Sequence, residues 1–186
     1  MVDDSNSAHH PASSDDRWLS WTQWTRLRPT QDAIGYFEVL AKRANFLALP
    51  PERRRSFAQD QAIKVVRVPS GRLYVIDHHH WARAWFDMGL PEAPVHIAKD
   101  FSGLAADQFL QNMSEHGWLH PFNAHGYRIP IAGLPESVGQ LPDDVFQSLA
   151  AFIRTAGRRL RAADAGRGFH LLPTGGGEGF GWFRAR

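Results

Sequence analysis

The chain of 186 residues contains no cysteine. That absence excludes disulfide bonds, thiolate metal sites, cysteine nucleophiles and thiol redox catalysis. An excess of charge of one sign is also missing, because 21 Lys and Arg face 19 Asp and Glu, which gives a net charge of +2. This balance differs from the strongly basic surface expected of a protein whose main partner is nucleic acid.

Long hydrophobic runs are absent as well. No apolar stretch approaches the roughly 18 residues needed to cross a bilayer, and residues 1–16 lack the basic and apolar regions of a signal peptide. We therefore expect a soluble, cytoplasmic protein. Apolar residues make up 43% of the chain and aromatic residues 12%, which is enough to build a substantial core.

The composition changes along the chain and predicts three segments. Residues 1–17 are rich in Ser, Asp and His and predict a disordered tail. Residues 18–100 are predicted to form the core, and residues 101–186 a helical C-terminal extension packed on that core. The Gly-rich end, residues 166–186, is expected to dock back through its aromatic side chains.

Hydrophobic periodicity predicts helices and strands in alternation. The predicted helices cover residues 32–44, 52–58, 79–88, 104–116 and 142–155, and Ser102 is the candidate N-cap of the fourth. The predicted strands cover residues 62–68, 73–76 and 94–98. The first two of these strands flank a Pro-Ser-Gly turn and predict a hairpin. Residues 18–27 are compatible with either a short helix or a strand.

Four polar residues, Asp77 to His80, lie where a predicted strand feeds a predicted helix. Free backbone N–H groups and the helix dipole both favour an anion at such a point. Asp77 could hold Mg²⁺ or a ribose hydroxyl, while imidazoles can donate to phosphate oxygens or carry protons. The alternative is an Asp that caps the helix, followed by surface and half-buried histidines. Because consecutive residues point in different directions, at most two of the three histidines can meet one ligand.

For two charged features, the residue pattern alone favours a role on the solvated surface over a role in a functional site. Glu38 is interpreted as a solvated charge next to Lys42, its i,i+4 partner. The basic run at residues 53–55 is interpreted as a solvated helix face, with phosphate or nucleic-acid contact as the alternative.

Metal binding by histidine pairs is disfavoured. Adjacent ligands such as His79 and His80 suit few coordination geometries. His116 and His120 are four residues apart, but an intervening Gly and a following Pro interrupt any helix that would align them.

Three segments together resemble the family of ParB-like putative nucleases, within the ParB/sulfiredoxin superfamily that also includes free serine kinases. They are Leu-Arg-Pro-Thr-Gln at 27–31, Ile-Gly-Tyr-Phe-Glu-Val at 34–39 with Lys42, and Leu-Tyr-Val-Ile-Asp-His-His-His at 73–80 with Arg-Ala at 83–84. The resemblance covers about residues 26–157. It implies an α/β (α+β) fold, with a small mixed sheet surrounded by helices and a helical C-terminal extension.

The resemblance also implies a set of site residues. In this superfamily the segment after the strand cradles nucleotide phosphates, and in the serine kinases a Glu of the first helix serves catalysis. By resemblance the catalytic residues are Glu38, Asp77, His79 and His80, with Asp77 also as the metal ligand. The residues that would contact the nucleotide are Thr30, Gln31, His78 and Arg83.

Two positions depart from the family pattern. His78 stands where Gly is usual, and its side chain narrows the approach of a phosphate. Trp81 stands where many relatives carry Arg, and Arg83 on the same helix is the candidate for the missing cation. The lack of cysteine excludes sulfiredoxin chemistry, and no helix-turn-helix module of a partition clamp is recognisable.

We therefore expect a protein that binds ATP, ADP or another nucleotide with Mg²⁺ and transfers a phosphoryl group to a small hydroxyl substrate, in the manner of the free serine kinases. One alternative is a metal-dependent nuclease or DNA-associated protein, although nucleic acid is not the favoured partner. A second alternative is a nucleotide-binding module without catalysis. No membrane partner is expected.

Overall fold

A mixed five-stranded sheet forms the centre of the structure, a computed structural model that describes residues 18–165 and the side chains of residues 18–156. The strands are β1 (Leu19–Thr22), β2 (Leu27–Pro29), β3 (Ile63–Arg67), β4 (Leu73–Asp77) and β5 (Ala93–Asp100). Their order is β1-β5-β3-β4-β2. The hairpin partners β3 and β4 are antiparallel, as are β1 and β5, whereas β2 runs parallel to β4 and β3 parallel to β5.

Helices cover both faces of this sheet, as a sheet with two apolar faces requires. They are α1 (Tyr36–Leu47), α2 (Pro51–Asp60), α3 (His79–Asp87), α4 (Ala106–Glu115) and α5 (Val145–Ala165). The mixed α/β fold class is thereby confirmed. Residues 18–27, which the sequence pattern left compatible with a helix or a strand, contain β1 and the start of β2. A 3-10 turn at Trp24–Arg26 joins these two strands.

Three of the predicted helices begin later than the periodicity indicates, and for two of them a backbone pairing gives the reason. Ile34 pairs with Asp143 in an isolated parallel bridge, with hydrogen bonds from Ile34 N to Pro142 O and from Asp144 N to Ile34 O. This pairing keeps both segments extended, so α1 begins at Tyr36 and α5 at Val145. The N-cap prediction for Ser102 is wrong, because α4 begins at Ala106 and the Ser102 N–H donates instead to Asp100 Oδ1 at 2.9 Å.

The hydrophobic core has two parts, one on each face of the sheet, because successive side chains of a strand point to opposite faces. On one face the buried side chains of Val65, Val75 and Val95 pack with α1 and α3. On the other face Val66 packs with residues of α4 and of the preceding loop, Phe101 among them. An aromatic cluster stabilises the first face, and its members are Phe46, Phe57, Trp81 and Trp85.

The chain divides into two compact units, residues 1–152 and 153–186. The first contains the sheet, α1 to α4 and the beginning of α5; the described part of the second is the remainder of α5. The predicted tail at 1–17 and the predicted docking of 166–186 lie outside the described residues. Within residues 18–165, no helix has the length and apolar character needed to span a membrane.

Candidate functional site

A polar cavity of about 360 Å³ opens at the edge of the sheet where β2 and β4 end. Because these neighbouring strands are parallel, their carboxyl ends meet at that edge, and the helices that follow them, α1 and α3, begin close together. The cavity is lined by Gln31, Glu38, Lys42, Gln61, Ile76, Asp77, His78, His79, His80, Trp81 and His120. The structure thus brings the tetrapeptide 77–80 and Glu38 to one cavity.

His78 adopts a left-handed backbone conformation, with φ of 66° and ψ of 28°. Within the described part of the chain it is the one non-glycine residue with positive φ. Its Nδ1 lies 3.0 Å from the carbonyl oxygens of both Gln61 and Ala62, so it donates to them as an N–H group. The side chain is therefore held against the loop between α2 and β3, while the backbone turns into α3.

Asp77 stabilises this turn. Its Oδ1 accepts the His78 N–H at 2.7 Å, and its Oδ2 lies 3.2 Å from Lys64 Nζ. Burial is the largest single influence and raises the pKa of the carboxyl, but the His78 N–H and Lys64 together outweigh it and the pKa is lowered. Asp77 is consequently an ionised carboxylate that contacts the N–H of His78, and the N-cap of α3 is His78 rather than Asp77.

His79 is buried and connects α3 to the end of β2. Its Nε2 lies 3.4 Å from both the N and Oγ1 atoms of Thr30, and the Thr30 hydroxyl donates to Val75 O at 2.6 Å. Burial lowers the pKa of His79 to about 3, with smaller contributions from His80 and His120. His79 is therefore neutral at physiological pH, which suits a positioning residue better than a cationic phosphate ligand.

The Glu38 carboxylate forms an ion pair with one cavity residue and lies near a second. Its carboxylate lies 3.3 Å from Lys42 Nζ and 3.9 Å from His80 Nε2. Lys42 Nζ also lies 4.7 Å from the ring centroid of Trp81, a cation–π distance. The predicted i,i+4 pair is present, and it lines the cavity rather than an open helix surface.

Two residues predicted to contact a nucleotide do not line the cavity. Thr30 is fully buried, and its hydroxyl donates to the carbonyl oxygen of Val75. Arg83 donates to Asp87 Oδ1 at 2.8 Å and to the Leu141 carbonyl, and its guanidinium lies 5.4 Å from the ring centroid of Tyr36. Arg83 therefore lies one turn along α3, outside the cavity lining, where these partners hold it, and its role as a replacement cation at the site stays a prediction.

Other candidate residues lie outside the cavity. In the basic run, Arg54 donates to Leu47 O and Leu49 O, and the Arg55 guanidinium lies 4.7 Å from the ring centroid of Trp21. These contacts support the structural interpretation of the run. His116 packs on Trp118 with ring centroids 4.4 Å apart.

Two cavity residues, Gln61 and His120, were not predicted as part of this site. Gln61 follows α2, and His120 lies in the loop after α4, where its N–H donates to Thr30 O at 2.9 Å. Neither has a local sequence signal, since His120 reaches the cavity through backbone pairing with Gln31 and Gln61 contacts His78 through its carbonyl. Among residues 18–156, no group of three or more His, Asp or Glu side chains could hold a metal ion.

A family model described as putative ParB-like nuclease matches residues 22–165. The chain belongs to this family. This ParB-like protein is therefore a member of the ParB/sulfiredoxin superfamily, and the family prediction is confirmed. It is similar to the crystal structure of protein Atu1540 from Agrobacterium tumefaciens, with 34% sequence identity and a TM-score of 0.65 over 75% of this chain and 69% of that one. No curated protein gives a significant match.

Proposed function

We propose that this ParB-like protein binds the phosphate groups of a nucleotide at the start of α3 and transfers a phosphoryl group to a small hydroxyl substrate. The observation that carries the proposal is the cavity itself, where the first turn of α3, which includes His80, meets Glu38 and Lys42 of α1. A helix start leaves backbone N–H groups that the helix cannot satisfy internally, and its dipole favours negative charge.

The backbone of His78 supports phosphate binding. A left-handed residue next to helical residues turns successive N–H groups toward one concavity, an arrangement that binds anions. The imidazole is directed to the carbonyls of Gln61 and Ala62. The His78 side chain therefore leaves the first-turn amides of α3 as the main candidates for phosphate contact.

Glu38 is the proposed proton acceptor. In the transfer, the substrate hydroxyl oxygen forms a bond to the γ-phosphorus of ATP, the bond between that phosphorus and the bridging oxygen breaks, and ADP leaves with the electron pair. The hydroxyl proton passes to a carboxylate oxygen of Glu38. Lys42, 3.3 Å from Glu38, supplies positive charge beside the reacting groups, and phosphoryl transfer depends mainly on such positioning and electrostatics.

Among the described residues, the cavity side chains form no group of three or more metal ligands. Asp77, the predicted metal ligand, has both carboxylate oxygens engaged, one by the His78 N–H and one by Lys64. We therefore assign no step to a metal ion held by the protein. Mg²⁺ enters the proposal only as the ion that accompanies ATP in solution.

Cleavage of nucleic acid is the second candidate, and membership of a family described as putative ParB-like nucleases favours it. The contacts of Arg54 and Arg55 argue against this candidate, because these side chains bind carbonyls and an aromatic ring away from the cavity. Cleavage of DNA or RNA by the purified protein that is lost in Asp77→Ala would favour the nuclease over the kinase.

A thermal-shift panel of ATP, ADP, GTP and adenosine, each with and without Mg²⁺, tests nucleotide binding. A ligand of the native state raises the melting temperature by mass action. We expect ATP or ADP to stabilise the protein and adenosine to have little effect, because the proposed contacts are to phosphate. If no nucleotide raises the melting temperature, the proposal is wrong.

A further inference from the structure

His120 reaches the cavity from a part of the chain that the family motifs at residues 27–39 and 73–84 do not include. Its backbone pairs with Gln31 in a parallel bridge beside the end of β2, and its N–H donates to Thr30 O at 2.9 Å. The loop that carries it is closed by a bridge between Phe122 and Arg128. Backbone bonds thus fix the position of His120 without using its imidazole.

The imidazole of His120 is exposed and lines the cavity together with His79 and His80. The charge of His120 also contributes to the lowered pKa of His79, which agrees with its place at the same cavity. An imidazole carries at least one N–H donor in either protonation state.

We infer that His120 is a phosphate-binding residue of this cavity, which donates a hydrogen bond to the nucleotide from the loop beside β2 while the amides of α3 bind from their own side. This inference rests on the proposed function. The inference extends the phosphate site to the segment after α4. The predicted core, residues 18–100, therefore does not contain the whole site.

The test compares His120→Ala and His120→Gln with His125→Gln by calorimetric titration of ATP, ADP and adenosine. His125 is a matched control because it is an exposed histidine of the same loop outside the cavity lining. The His120 backbone bond to Thr30 persists in every variant, and circular dichroism checks the fold. We expect His120→Ala to weaken ATP binding about tenfold, the effect of one charge-assisted hydrogen bond.

Loss of ATP affinity in His120→Ala, a smaller loss in His120→Gln, which keeps an N–H donor, and normal affinity in His125→Gln support the inference. If the role of His120 is purely structural, its replacement should weaken the binding of adenosine and of ATP equally. An unchanged ratio of ATP affinity to adenosine affinity would therefore overturn the inference. Wild-type affinity in His120→Ala would also overturn it, and would leave the proposed function standing. If the wild-type protein binds none of these ligands, both proposals fall.

Discussion

His80 faces Glu38 across the cavity, with Nε2 and Oε2 3.9 Å apart. The two residues belong to different helices, α3 and α1, which start side by side because the preceding strands are parallel neighbours. Glu38 is 37% exposed, so its carboxylate is accessible to a substrate while it remains close to Lys42 and His80. That combination is what a proton acceptor for a small hydroxyl substrate requires.

Glu38→Gln keeps the size of the side chain and removes its ability to accept the proton. We expect the rate of phosphoryl transfer from ATP to fall by about 10²- to 10⁴-fold, the usual contribution of a general base. ATP affinity should remain close to that of the wild type. The measurement is ADP formation in the presence of L-serine and related hydroxyl compounds, alongside calorimetric titration of ATP.

Glu52→Gln is the matched control, because Glu52 is exposed on α2 and lies outside the cavity lining. It should leave both turnover and affinity unchanged. A Glu38→Gln variant with wild-type turnover would contradict the role of Glu38 as a base.

His79 provides a prediction about pH and stability. Its pKa in the folded protein is about 3, below the ordinary histidine value near 6.5. Between these values the unfolded chain binds one more proton than the folded protein, so this residue makes stability fall as the pH decreases. At full effect a single histidine changes the free energy of unfolding by about 1.4 kcal/mol per pH unit.

His79→Gln removes this titration and keeps an acceptor for the Thr30 N–H. At pH 7.5 we expect the variant to be less stable than the wild type by about 1–3 kcal/mol, through lost packing. As the pH falls from 7.5 to 5, the difference should shrink by about 2 kcal/mol. Urea unfolding at several pH values measures it, and a difference that stays constant would contradict a neutral, buried His79.

Local sequence patterns were sufficient for much of the fold. The apolar alternation around Val65 identified β3, the apolar run around Val75 identified β4, and the Pro-Ser-Gly turn between them identified their hairpin. The starts of α1 and α5 were misplaced because Ile34 and Asp143 pair with each other across the fold. No periodicity within either segment reports such a pairing.

The site was predictable to the same extent. The junction at Asp77 to His80 is a local signal, and family resemblance connected it with Glu38. His120 could not be found this way, because its place depends on backbone pairing with Gln31. The position of Arg83 outside the cavity lining has no local sequence signal either, because its partners, Asp87 and the Leu141 carbonyl, hold it one turn away from the helix start.

Gly35 tests the contact between the start of α1 and α5. A Cβ at this position would lie 3.0 Å from two backbone atoms, Gln147 C and Ser148 N, which cannot move as a flexible side chain does. Gly35→Ala is therefore expected to destabilise the protein by about 1–3 kcal/mol in chemical denaturation. Gly103→Ala is the control, because a Cβ there meets no atom within 4 Å. Equal stability of both variants would contradict the close packing.

His78 allows backbone strain to be separated from the hydrogen bond of its side chain. In a left-handed conformation with φ of 66°, a residue with a Cβ costs about 1–2 kcal/mol that glycine avoids. His78→Ala loses the donor to the Gln61 and Ala62 carbonyls and keeps the strain, whereas His78→Gly loses the same donor and relieves the strain. We therefore expect the Gly variant to be more stable than the Ala variant by about 1 kcal/mol in urea unfolding. An Ala variant at least as stable as the Gly variant would show that residue 78 is not held in the left-handed region in solution.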